Sequence, residues 1–216
     1  MCPAPAALAE ISERTVAHYE RNAASFWEGT RDHDVSQNIA TLLRHLPGAA
    51  PCRILDLGCG PGRDLETLRQ LGHDPIGLEA CPAFVAMARQ YSGCEVWQQD
   101  FLRLELPAQF FDGIFANASL FHVPKSEIRR VLGELRASLR PAGVLFSSNP
   151  RGRDEEGWSG ERFGVWWHED SWRRILEQCG FVELETYYRP AGLPREQQPW
   201  FAGAWRKGGE QDGKLG

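Results

Sequence analysis

The residues with the clearest capacity for chemistry are a glycine-rich loop and an acid in register with it. DLGCGPGRD, residues 56–64, follows the apolar run CRIL and precedes RDLETLRQL, so Asp56, Gly58, Gly60 and Gly62 fall between a strand and a helix. Glycines allow a sharp turn and close approach of backbone to ligand. The helix behind them offers unpaired N–H groups and a positive dipole end to a carboxylate or phosphate. Glu79, followed by Ala80, ends DPIGLE twenty-three residues beyond Asp56, where an acid accepts hydrogen bonds from a ribose. The dinucleotide fingerprint needs GxGxxG/A, whereas this loop reads GxGxG and has Arg63 at the position of the last small residue, which argues against NAD.

A second polar concentration lies upstream. GTRDHDVSQN, residues 29–38, holds Asp32, Asp34, Gln37 and Asn38 with Arg31 and His33. Such residues cap helices and make turns; they can equally recognise a polar substrate. His33 and its flanking acids are poor metal ligands, because consecutive residues cannot readily surround an ion. His122, in NASLFHVP, reads either as a general base or as a loop histidine. Trp158, Trp166 and Trp167 read as pocket wall or core.

The elements that position these groups alternate in type. A helical stretch runs to about Trp27. A second helix, capped by Asp32 or Asp34, carries Val35, Ile39, Leu42, Leu43 and Leu46 on one face. There follow the strand CRILDLG, the helix RDLETLRQL, the strand DPIGLE, the helix PAFVAMARQY with Pro82 in its first turn, the strands CEVWQQ and FDGIFAN, a helix over 124–139 and the strand GVLFSS. After a glycine-rich excursion, NPRGRDEEGWSGERFG, a helix over 169–179 precedes FVELETYY and PWFAGAWRK. This pattern predicts an α/β fold with a mainly parallel seven-stranded sheet covered on both faces. No helix-length segment separates the last two strands, so they should pair antiparallel. The expected division is an N-terminal helical lid and recognition segment over 1–48, a Rossmann-like core over 49–207 and a flexible tail over 208–216.

Bulk properties exclude several classes. The 216 residues fit one domain, and 42% hydrophobic with 25% charged residues is globular composition. A net charge of -5 supplies no field to gather nucleic acid or anionic lipid, so a small molecule is the expected partner. MCPAPAALAE lacks the basic flank and apolar run of a signal peptide, and no window approaches the about 18 apolar residues of a membrane span; the expected location is cytoplasmic. Six cysteines occur without a CxxC pair, which suggests buried thiols rather than a zinc or redox motif.

The glycine loop with its acids resembles the first motifs of class I S-adenosylmethionine (SAM) methyltransferases. That resemblance implies a Rossmann-like fold whose only antiparallel strand is the last. It also implies SAM as cofactor. The loop residues Asp56, Gly58 and Gly60 would receive the methionine end, Glu79 and Ala80 the ribose, Asp100 and Phe101 of QQDF the adenine, and Asn117 at the end of FDGIFAN the cofactor or substrate. A closer resemblance lies in HYERNAASFWEGTRDHDVSQN, SSNPRGRDEEGW and YYRPAGLPREQQPWFA, which are similar to the methyltransferase domain of ovothiol-biosynthesis enzymes. It implies N-methylation of the imidazole ring of 5-thiohistidine. In bifunctional members of that family the domain follows an iron-dependent sulfoxide synthase. This chain shows no such domain and no histidine cluster spaced as an iron site, so it is expected to be a stand-alone methyltransferase or an excised domain, with a sulfoxide synthase as partner enzyme.

On this reading Asp32, Asp34, Asn38 and Asn149 supply polar recognition, and Arg195 of GLPREQQPW clamps the substrate carboxylate. Asp34, Asn38 and Asn117 stand nearest the reaction, while Tyr19 and Trp27 pack over the cofactor. A neutral imidazole already presents a lone pair at pH 7, so alignment matters more than a strong base. The ring thiolate, a potent nucleophile, must be held off the methyl's axis. The alternatives are a SAM methyltransferase of another small metabolite, a non-catalytic SAM-binding module and a dinucleotide enzyme.

Overall fold

The computed structural model describes residues 5–209. Its main sheet has seven strands in the order β3-β2-β1-β4-β5-β9-β8. These are β1 (Arg53–Leu57), β2 (Asp74–Glu79), β3 (Val96–Gln98), β4 (Phe111–Asn117), β5 (Leu139–Pro150), β8 (Phe181–Arg189) and β9 (Trp200–Lys207). Pairing is parallel from β3 through β5, and β9 runs antiparallel to both β5 and β8. This is the predicted Rossmann-like methyltransferase arrangement, with the last strand alone reversed. Strand order turns back between β1 and β4, so the crevice for a ligand opens beyond their carboxyl ends. There the chain places Gly58 and Asn117.

Both sheet faces are buried, as the apolar strand sequences require. One face packs on α6 (Ile128–Ser138) and α7 (Glu169–Gln178) through Leu132, Leu135, Trp172 and Leu176. On the other lies α3 (Ser36–His45), whose Ile39 and Leu42 are buried and whose Val35, Leu43 and Leu46 join the same cluster. The predicted apolar face of that helix is therefore the one that packs. The remaining helices are α1 (Pro5–Arg21), α2 (Ala23–Thr30), α4 (Arg63–Gln70) and α5 (Pro82–Ser92). Among the described residues no helix is long and apolar enough to cross a membrane.

Three expectations need correction. The N-terminal helical stretch breaks at Asn22, whose side-chain amide donates to His18 O at 2.7 Å; this local bond competes with the helical ladder. The helix expected from residue 124 begins at Ile128 after a turn. The glycine-rich excursion holds a hairpin, β6 (Glu155–Ser159) with β7 (Arg162–Trp166), whose two-residue loop has Gly160 at φ +63°. Interspersed glycines and charges hid its alternation. Of the expected tail, residues 210–216 lie outside the described residues, as does Cys2.

Candidate active site

The glycine loop is built by backbone that only glycine tolerates. Gly58 has φ +73°, and a Cβ there would sit 2.6 Å from Ser119 Cβ and 3.0 Å from Phe101 Cζ. Gly62, at φ +95°, starts α4, and a Cβ would meet Ala88 Cα of α5 at 2.7 Å. Two cavities open on the two sides of this loop.

Cavity one is lined by Ile11, Ser12, Tyr19, Phe26, Gly58, Gly60, Glu79, Ala80, Phe84, Asp100, Phe101 and His122, among others. Glu79 accepts the N–H groups of Gly60 at 3.0 Å and Cys81 at 2.9 Å, so one carboxylate ties the loop to the end of β2. Burial pushes its carboxyl up, opposed by these backbone bonds. Asp100 accepts Leu102 N–H at 2.8 Å and the hydroxyl of Ser12.

The helix α1 roofs this cavity through polar pins that the sequence does not reveal. Ser12 reaches Asp100, Thr15 Oγ1 accepts Phe163 N–H at 3.1 Å, and Glu20 accepts Ala83 N–H at 2.9 Å in the first turn of α5, where a helix favours an anion. Tyr19 packs edge-on against Phe26, and its hydroxyl lies 2.9 Å from His122 Nε2. His122 Nδ1 lies 2.6 Å from Phe163 O. A carbonyl only accepts, so Nδ1 carries the proton and Nε2 accepts from Tyr19. Burial, with Arg162 nearby, lowers the His122 pKa to about 4, and burial raises that of Tyr19. His122 thus holds a neutral, fully engaged ring in the wall.

Cavity two is lined by Trp27, Thr30, His33, Asp34, Asn38, Arg63, Asp64, Asn117, Ser148, Arg189 and Trp200, among others. It shares Phe26, Gly58, Gly60 and Ala118 with cavity one. A continuous polar chain runs along its wall. Arg189 Nη1 and the Tyr187 hydroxyl donate to Asn38 Oδ1 at 2.9 and 2.8 Å; Asn38 Nδ2 donates to Asn117 Oδ1 at 2.9 Å; Asn117 Nδ2 donates to Asp64 Oδ2 at 3.3 Å. Arg63 grips Asp64 with two bonds, of 2.7 and 3.1 Å, and donates to Thr30 O at 2.6 Å, tying α2 to α4.

The structure therefore brings Tyr19, Gly58, Gly60, Glu79, Ala80, Asp100 and Phe101 to cavity one, and Trp27, Asp34, Asn38 and Asn117 to cavity two. Trp27 meets Tyr91 of α5 edge-on, 4.9 Å between ring centres. The N-cap of α3 is Val35, not the expected Asp32 or Asp34; Asp34, one residue earlier and in the cavity wall, accepts Ser36 N–H at 2.9 Å through Oδ1, and hydrogen bonds from the Ser36 side chain and backbone hold its carboxyl below the usual range. Asp56 lies beneath the loop rather than in either wall. It is 2% exposed with Oδ2 unpartnered, and burial with the charge of Asp64 pushes its carboxyl well up.

Three further expected residues line neither cavity. Asp32 is exposed beside Arg31. Asn149 is buried with both amide atoms unpartnered, because strand alternation turns it away from the side on which Ser148 meets cavity two. Arg195 sits in an exposed turn with its guanidinium over the Tyr188 ring. The tryptophans of the excursion are elsewhere too: Trp167 is core, and Trp158 stacks under Arg14 at 4.3 Å. Sequence reasoning missed Ser12, Asp64 and Arg189. Asp64 stood in the quoted loop, and Arg189 only six residues before the arginine chosen.

Comparison with known proteins agrees with this geometry. Residues 54–143 match the family described as methyltransferase domain. The fold, the glycine loop and its acids agree with that match, which covers residues 54–143 of the 216. More particularly, the chain is 35% identical over 116 residues to trans-aconitate 2-methyltransferase of Azoarcus sp. (strain BH72), covering 53% of this chain and 45% of that protein. It is 38% identical over 119 residues to the enzyme of the same name from Methylobacterium nodulans, covering 54% and 45%. The chain thus spans about half the length of these curated relatives. The structure of Burkholderia thailandensis 1,6-didemethyltoxoflavin-N1-methyltransferase, with 1,6-didemethyltoxoflavin and S-adenosylhomocysteine bound, superposes with a TM-score of 0.78 at 19% identity over 97% of this chain and 94% of that one; at that identity the likeness concerns the fold.

Proposed function

We propose that this chain is a SAM-dependent N-methyltransferase that binds its cofactor across cavity one and the glycine loop, takes its substrate in cavity two, and methylates an imidazole nitrogen of 5-thiohistidine. The observation that carries the reading is the shared wall: an acid-tipped cavity and one whose wall carries the chain of hydrogen bonds from Arg189 through Asn38 and Asn117 to Asp64 meet at Phe26, Gly58, Gly60 and Ala118. The residues present fit the cofactor. Glu79 and Asp100 offer carboxylates to hydroxyl and amine donors, the Gly58 cradle would be filled by a Cβ, and the orphaned Asp56 Oδ2 lies under the loop. When bound, SAM supplies an electrophilic sulfonium methyl whose transfer leaves a neutral thioether.

The chain's own task is then alignment. Within the expected 1–48 lid and recognition segment, the described residues 5–48 would cover the site, with residues 49–207 as the core. Thr30, His33, Asp34 and Asn38 of the stretch similar to ovothiol enzymes all line cavity two, which supports an amino-acid substrate. Asp34 presents an exposed carboxylate suited to an ammonium, and Asn117 sits between the loop and Asn38. His122 does not serve as base, since its Nε2 lone pair accepts from Tyr19; a neutral imidazole substrate needs none. Incubation with SAM and 5-thiohistidine, beside histidine and trans-aconitate, followed by mass spectrometry should show one added methyl on 5-thiohistidine. Methylation of trans-aconitate alone would replace that substrate with the one in the relatives' name; no methylated product from any of them would sink the reading.

A further inference from the structure

Cavity two contains a cation that forms no ion pair among the described residues, although the Asp34 carboxylate in the same wall feels its charge. Arg189 closes β8 in its wall, and its guanidinium is held only by uncharged oxygens: Asn38 Oδ1 at 2.9 Å and the backbone oxygen of Asp34 at 2.7 Å. It takes part in none of the ion pairs among the described residues. Arg63, in the same cavity, differs, because Asp64 already takes two of its donors. A guanidinium has five N–H groups in a planar fork that matches a carboxylate. Held by an amide and a peptide oxygen, Arg189 keeps its orientation without losing its charge.

Asn38 is what sets that orientation. It is 2% exposed, its oxygen accepts from Arg189 and Tyr187, and its nitrogen donates to Asn117. Two donors aimed at one atom fix which way the amide points. With its oxygen twice engaged and the side chain buried, Asn38 acts through Arg189 and Asn117 rather than on a ligand directly.

We propose that Arg189 is the anchor for a carboxylate on the methyl-accepting substrate and that Asn38 is its positioning residue. This rests on the reading of cavity two as the substrate site, but not on 5-thiohistidine being the substrate. The anchor selects small molecules that combine the accepting nitrogen or oxygen with a carboxylate, and it rejects their esters.

The test uses the full chain saturated with S-adenosylhomocysteine and isothermal calorimetry with 5-thiohistidine, its methyl ester, and trans-aconitate. The parent chain should prefer the acid of 5-thiohistidine over the ester by roughly 10- to 150-fold, the range of a charge-assisted bond. Arg189→Met and Arg189→Lys should bring that ratio to within about 3-fold, the lysine because a point charge lacks the fork, while S-adenosylhomocysteine affinity stays unchanged. Asn38→Ala should lower the same ratio, which a merely structural loss would leave intact. If only trans-aconitate binds, and binds through Arg189, the anchor stands and the 5-thiohistidine reading fails. An unchanged acid-to-ester ratio in both Arg189 variants, or no binding of any carboxylate, overturns the proposal.

Discussion

Replacing His122 with glutamine should remove a specific part of the protein's acid sensitivity. In the folded chain the ring is buried between Tyr19 and Phe163 O, and its pKa is lowered to about 4; in the unfolded chain it returns to roughly 6.5. Between those values the unfolded state binds more protons than the folded one, so stability falls as pH falls. The contribution is intact above about pH 6.5 and is lost progressively down to about pH 4. Between pH 7 and pH 5 the loss comes to roughly 2 kcal/mol from this one group. A glutamine amide can donate to Phe163 O and accept from Tyr19 without titrating, so His122→Gln should lack that decrement whatever its own stability at pH 7. Urea unfolding of both chains at pH 7 and pH 5 measures it. Equal losses in the two proteins would refute the argument and place His122 in contact with solvent.

Other outcomes follow from the same geometry. Glu79→Ala should weaken SAM and S-adenosylhomocysteine binding about 10- to 150-fold in calorimetry, because a charged acceptor of the cavity and of Gly60 N–H is lost together; unchanged affinity would place the ribose elsewhere. Gly58→Ala forces a Cβ against Ser119 at φ +73° and should cost roughly 1–2 kcal/mol for the backbone alone, besides lowering cofactor affinity, and a wild-type Tm with wild-type binding would contradict it. Asp34→Asn should keep the Tm, since an asparagine oxygen can accept Ser36 N–H as well, yet lower turnover of 5-thiohistidine; full turnover would leave Asp34 a turn residue only.

How much of this was legible in the sequence depends on the range over which each feature is encoded. Strand and helix alternation, the glycine loop and Glu79 follow from contiguous residues, because hydrophobic period and turn chemistry are local properties; Asp100 is implied only by the resemblance to class I methyltransferases. The reversal of β9 was also readable, since the short connection before it holds no helix to make a parallel crossover. Only the tertiary structure decided that Arg189 rather than Arg195 faces cavity two. Arg189 meets Asn38 across 151 residues of sequence, while Arg195 turns outward onto Tyr188, and no local pattern separates two basic residues on one connection. The same holds at the end of β5, where a single step of alternation puts Ser148 in the cavity and Asn149 in the interior. The sequence determines the elements and the loop chemistry by itself. Strand pairing and side-chain direction, which exist only once distant segments pack, decide which polar groups converge.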